Sequence, residues 1–173
     1  RSYDYRSFFF FLRELFIIYK KNNNVTCQDV NRILGNSFDI ECVIKVPLTR
    51  SGISLVPKIK TLGAKTLMTA CFEPKQVITA CALKADYVAP YFGRMLDAGL
   101  DAMANMQIIE KVARSSTCIP IVASLRSAKQ VLDISEIGYN CFTISPEVAR
   151  DLFYSKLTDE ASSAFEAAAK GIK

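Results

Sequence analysis

Lys45 stands inside a run of strand-forming residues, with Cys42, Val43 and Ile44 before it and Val46 after it, in the stretch ECVIKVPLT at 41–49. The run is too short for a helix and is closed by Pro47, so it reads as a buried strand. An ammonium in such a setting is costly unless its pKa falls and the amine becomes neutral. A neutral amine is a nucleophile that attacks a ketone to form a Schiff base. The competing reading has Lys45 at a strand edge, with its stem on apolar surface and its head in water. The chain contains no histidine. Ser-His-Asp and Cys-His catalysis and His-ligated metals are therefore excluded, and acid–base work falls to Lys, Tyr, Asp, Glu or water.

The elements around Lys45 alternate. Strands are expected from near 42, 66, 86, 119 and 141, the second reading TLMTAC at 66–71 and the fifth covering 141–144. Helices are expected over about 51–63, 74–83, 100–113, 127–137, 146–153 and 159–170, with a loop at 90–99. Pro57 falls inside the first of these helices, where it forms or kinks a turn. Earlier in the chain, Thr26 with Asp29 resembles a capping box that opens a helix to about Leu34. Short apolar strands alternating with helices mean a parallel sheet covered by helices. No G-x-G-x-x-G or G-x-x-x-x-G-K-[ST] follows any strand, which argues against an open nucleotide-binding sheet. Lys45, Thr69, Tyr91 and Ser124 fall at or just beyond the C-terminal ends of four successive strands, where a TIM barrel carries its chemistry.

Composition narrows the classes further. At 173 residues and 50% apolar content the chain fits one domain with a real core. A net charge of +5 without a basic block does not suggest nucleic acid, but suits an anionic small substrate. Cysteines 27, 42, 71, 81, 118 and 141 form no C-x-x-C pair. They read as reduced, buried thiols of a cytoplasmic protein rather than as disulfides or a zinc site. Residues 1–24 are set apart as an apolar N-terminal segment, with 25–173 as the barrel-like domain. Phe8 to Leu12 and Leu15 to Tyr19 are apolar, but Arg13 and Glu14 interrupt them at about half the length a membrane span needs, so no membrane partner is expected.

Four ordered motifs, IKVPLT (44–49), TLMTACF (66–72), DYVAPYFGRMLDAG (86–99) and VASLRS (122–127), resemble the transaldolase family. The nearest branch is that of small transaldolases and fructose-6-phosphate aldolases, and the resemblance runs from about Gln28 to the end of the chain. It implies an α/β fold of the (β/α)8 TIM-barrel type and a class I, cofactor-free and metal-free aldol mechanism on sugar phosphates such as fructose 6-phosphate. By that resemblance Lys45 is the Schiff-base lysine, Thr69 helps hold a catalytic water, and Tyr91 hydrogen-bonds that water or a substrate hydroxyl. Arg94, Ser124 and Arg126 grip the substrate phosphate, a task suited to the bidentate guanidinium fork. Nearby arginines would also lower the Lys45 pKa. Without the resemblance, Thr69 reads as an ordinary strand residue, Tyr91 as a packed aromatic, and the two arginines as solvated charges.

The chain departs from the family at its start. Three barrel strands expected before Lys45 have no counterpart in residues 1–24, so only about five βα units are expected where a barrel of about 250 residues has eight. Two functions follow: a transaldolase or aldolase transferring or releasing a dihydroxyacetone unit, or a non-catalytic transaldolase remnant with a structural or interaction role. A deoxyribose-phosphate type of class I aldolase is a more distant alternative. The chain alone is expected to be weak or inactive, and a homo-oligomer is compatible with the sequence.

Overall fold

The computed structural model describes residues 43–171. The expected helix to Leu34, the apolar segment of residues 1–24 and the start of the first strand at Cys42 lie outside the described residues. Four strands pair in parallel in the order β1 (Val43–Pro47), β2 (Lys65–Cys71), β3 (Tyr87–Pro90) and β4 (Ile119–Pro120). Between and after them run α1 (Arg50–Thr61), α2 (Pro74–Ala82), α3 (Phe92–Asp97), α4 (Ala102–Ala113), α5 (Ala128–Glu136), α6 (Pro146–Phe153) and α7 (Lys156–Lys170).

Alternation along each strand divides the sheet into two unlike faces. Ile44, Val46, Met68, Val88 and Val122 face the helices and join Val56, Ile59, Val77, Met106, Ile109, Val131 and Ile134 in one core. The other face carries a smaller cluster of Val43, Leu67, Tyr87, Ala89 and Ile121, against which Tyr91 and Cys141 pack. The main core gathers every helix with buried side chains onto one side of the sheet, as in a barrel wall, whereas a doubly wound sheet is covered on both. Helix α7 has no buried residue, and Leu157 and Phe165 stand exposed on it.

The fourth strand, expected over 119–123, ends at Pro120, the last helix begins at Lys156 rather than Asp159, and two further elements differ. The loop at 90–99 contains α3, which the Tyr91 carbonyl begins by accepting from Met95 N at 2.9 Å. The fifth strand at 141–144 is reduced to an isolated bridge between Val122 and Phe142, held by Val122 N to Cys141 O and Thr143 N to Val122 O, each 2.9 Å. Among the described residues this segment has one neighbour only, and the adjoining β4 contains Pro120, which lacks an N–H for the ladder.

Burial drives the Cys71 and Cys118 thiols up to about 12, so both act as small core hydrophobes rather than nucleophiles. At the N-terminal ends of the strands, Asp86 accepts from Thr66 N at 2.8 Å, Thr66 Oγ1 at 3.2 Å and Lys60 Nζ at 3.3 Å. Burial alone would raise the Asp86 carboxyl, but these bonds outweigh it and hold the group below the usual carboxylate range. A depressed folded-state pKa contributes stability above the unfolded value near 4, and that contribution is lost as pH falls through the folded value. Asp86→Ala is therefore expected to cost about 1–3 kcal/mol in urea unfolding at pH 7, and much less at pH 3. An equal cost at both values would show that the carboxylate's charge is not what stabilises this end.

Candidate active site

The C-terminal ends of β1 and β2 meet the Tyr91 side chain at the end of β3, and the segment after β4 bridges to the Tyr91 backbone at Ala123. Thr49 opens α1 by accepting from Gly52 N at 3.1 Å, turning the chain back immediately after β1. Gly52 allows this turn, because a Cβ there would lie 2.0 Å from the Pro47 carbonyl oxygen. Lys45 is thereby fixed near the end of a short strand, half-buried, with its Nζ 6.0 Å from the centre of the Tyr91 ring.

Thr69 reaches the same ring through an irregularity in β2. Met68 pairs with Val88 and Cys71 with Pro90, so β2 uses one residue more than β3 between these pairs. Ala70 absorbs the extra residue in the left-handed region at φ 58°, a local cost that marks a β-bulge. The bulge sends Cys71 into the helix-side core while Thr69 stays on the inner side, its Oγ1 2.8 Å from Tyr91 Oη. Two hydroxyls so paired can each donate and accept, which suits them to hold a water or substrate oxygen between proton transfers.

Tyr91 is held from three directions. Its N–H donates to Cys71 O at 2.9 Å, Phe72 meets its ring edge-on at a centroid distance of 5.8 Å, and the Arg94 guanidinium lies 5.5 Å from the ring centre. Gly93 N donates to Ser124 O at 3.1 Å, drawing the segment after β4 against α3. Only glycine fits at 93, since a Cβ would sit 2.1 Å from Ser124 O, 3.1 Å from Ser124 Oγ and 3.2 Å from Arg126 Nε. Ser124 itself has φ 64°, the second left-handed non-glycine residue at this end of the sheet.

The structure thus brings Lys45, Thr69, Tyr91 and Arg94 around one ring, with Ser124 and Arg126 gathered on the far side of Gly93. Arg126 is not a free cation. Its Nη1 donates to Asp97 Oδ1 at 2.7 Å and its Nη2 to Asp97 Oδ2, a bidentate pair. Arg126 also borders an open cleft of about 390 Å³ beside α6, but the Glu147 and Asp151 carboxylates line that cleft and make it a poor host for an anion. Phe72, Gly93 and Asp97 also touch the residues of this candidate site, and sequence reasoning passed over them. All three lie inside the quoted motifs, yet their types suggest core, turn and solvent rather than chemistry.

A sequence profile described as Transaldolase/Fructose-6-phosphate aldolase matches residues 21–172. A protein named "Probable transaldolase" from Coprothermobacter proteolyticus is 38% identical over 122 residues, covering 69% of this chain and 56% of that protein. A second of the same name, from Thermodesulfovibrio yellowstonii, is 37% identical over 120 residues, covering 68% and 56%. The chain therefore spans about half the length of the curated relatives it matches. A crystal structure of GMP reductase from Trypanosoma brucei superposes with a TM-score of 0.57 over 70% of this chain and 31% of that one, at 16% identity, a likeness of fold alone.

Proposed function

The chain belongs to the transaldolase/fructose-6-phosphate aldolase family, whose fold is the (β/α)8 barrel, and from that premise we propose that its strand-end site forms a Schiff base with the ketone of a sugar phosphate such as fructose 6-phosphate. The observation that carries this reading is the Thr69–Tyr91 hydroxyl pair at 2.8 Å beside a half-buried lysine whose Nζ is 6.0 Å from the same tyrosine ring.

In this reading the unprotonated Lys45 amine adds to the C2 carbonyl, and loss of water leaves a protonated imine. The imine accepts the electron pair of the C3–C4 bond as it breaks, while the C4 hydroxyl gives its proton to a water held by Tyr91 and Thr69. Cleavage leaves an aldehyde carrying the phosphate and a three-carbon enamine on Lys45. Addition of the enamine to an acceptor aldehyde is transaldolase chemistry, and its protonation followed by hydrolysis releases dihydroxyacetone. Arg94, with Ser124 and Arg126, binds the phosphate end. The polar strand-end residues and the absence of histidine support this assignment of proton transfers to hydroxyls and water.

An assay of fructose 6-phosphate turnover, with and without erythrose 4-phosphate, tests the reaction. Substrate reading is tested separately by borohydride trapping. Arg94→Ala is expected to raise the fructose 6-phosphate concentration for half-maximal trapping by roughly 10- to 100-fold, the worth of one charge-assisted hydrogen bond. Trapping of dihydroxyacetone, which carries no phosphate, is expected to change far less. An equal effect on both ligands would mean that Arg94 does not read phosphate. A folded chain that traps neither ligand would favour the non-catalytic alternative.

A further inference from the structure

Asp97 is absent from the chemistry above, yet it pairs with one of the arginines assigned to phosphate and lies one helical turn from the other. Its two oxygens meet the two Nη atoms of Arg126 fork to fork, in the arrangement a phosphate would need. The same carboxylate lies one helical turn after Arg94 on α3. Hydrogen bonds from Arg126 chiefly, then the charges of Arg126 and Arg94, hold Asp97 below the usual carboxylate range.

The geometry points to Asp97 as a resident counter-anion of the phosphate site: its carboxylate occupies the Arg126 fork until a substrate phosphate exchanges for it. This inference rests on the reading of Arg126 as a phosphate ligand. Exposure makes the exchange feasible, since the two side chains are 53% and 54% exposed and such pairs are held weakly. The backbone need not move when the fork is released. Arg126 N is fixed to Gln130 Oε1 at 2.8 Å, and Gly93 N keeps its bond to Ser124 O at 3.1 Å. A phosphate dianion competes for the fork better than a carboxylate or chloride, so Asp97 acts as a threshold that favours phosphorylated ligands over weaker anions. No bond is made or broken in this exchange. Asp97 is thus a positioning residue that acts through Arg126.

Protection of Arg126 from phenylglyoxal by inorganic phosphate, mapped by peptide mass spectrometry, tests the exchange. In Asp97→Asn the half-protecting phosphate concentration is expected to fall roughly fivefold, because the competing charge is gone. Asp97→Glu, which keeps the charge, is expected to stay near the parent value. Circular dichroism of each variant checks that the fold is retained. An unchanged or raised phosphate requirement in Asp97→Asn overturns the inference, as does failure of phosphate to protect Arg126 in the parent. Borohydride trapping of dihydroxyacetone on Lys45, run alongside, separates the two claims. Trapping without the Asp97 effect defeats this inference alone, and the Asp97 effect without trapping defeats the Schiff-base reading alone.

Discussion

Lys45→Met is expected to abolish borohydride-dependent attachment of dihydroxyacetone, with at least a 100-fold loss of trapped adduct by intact mass, while the protein stays folded. Methionine has similar length and no amine, and swaps of matched volume at a part-apolar position cost less than about 1.5 kcal/mol. The half-buried site and its inner-face neighbours Val43 and Leu67 accept an unbranched apolar chain. Chemistry and stability therefore separate in this variant, as they would not for a lysine that holds the fold. Lys60 supplies the contrast. Its Nζ donates to Lys84 O at 2.6 Å and pairs with Asp86 at the opposite ends of the strands, so its loss would weaken the fold without touching the adduct. Persistent labelling of Lys45→Met would move the nucleophile elsewhere.

Gly93→Ala is expected to damage both the fold and the phosphate end. The new methyl group would lie 2.1 Å from the Ser124 carbonyl, a backbone atom that cannot swing aside as a side-chain end can. Relieving the clash means separating α3 from the segment after β4, which breaks the Gly93 N to Ser124 O bond. Overpacking of this kind costs about 1–3 kcal/mol, and urea unfolding at pH 7 measures it. The same separation carries Ser124 and Arg126 away from Tyr91 and Arg94. Fructose 6-phosphate should then trap only at roughly 10-fold or higher concentration, following the steep dependence of such sites on ~1 Å displacements. Dihydroxyacetone trapping, which in the proposed mechanism draws on Lys45, Thr69 and Tyr91, should be far less affected. Normal stability together with normal trapping would show that the contact has no role in placing the site.

The strand ends were legible because alternation of short apolar runs with helices is a strong signal, and the polar residues interrupting those runs stand out. That signal placed β2, β3 and the C-terminal end of β1 to within a residue or two. It weakened after residue 119, where β4 covers only Ile119 and Pro120 and the 141–144 segment keeps only the Val122–Phe142 bridge. The pairing of Thr69 with Tyr91 was not legible as a contact. It depends on the bulge at Ala70, and nothing about an alanine in a strand announces a positive φ. The Arg126–Asp97 pair was hidden for a different reason. Its partners lie 29 residues apart, on separate βα units, and each alone reads as a solvated charge. Gly93 read as loop because glycine usually marks one, whereas its value here is the close approach of two backbones.

The most direct test of the central claim is to incubate the chain with fructose 6-phosphate, reduce with borohydride, and locate the added mass by peptide mapping. A stable adduct on the peptide containing Lys45, competed by dihydroxyacetone and lost without reductant, is the predicted result. Adduct on Lys58, Lys60 or Lys65 instead, or no adduct on a chain shown to be folded, would contradict the account.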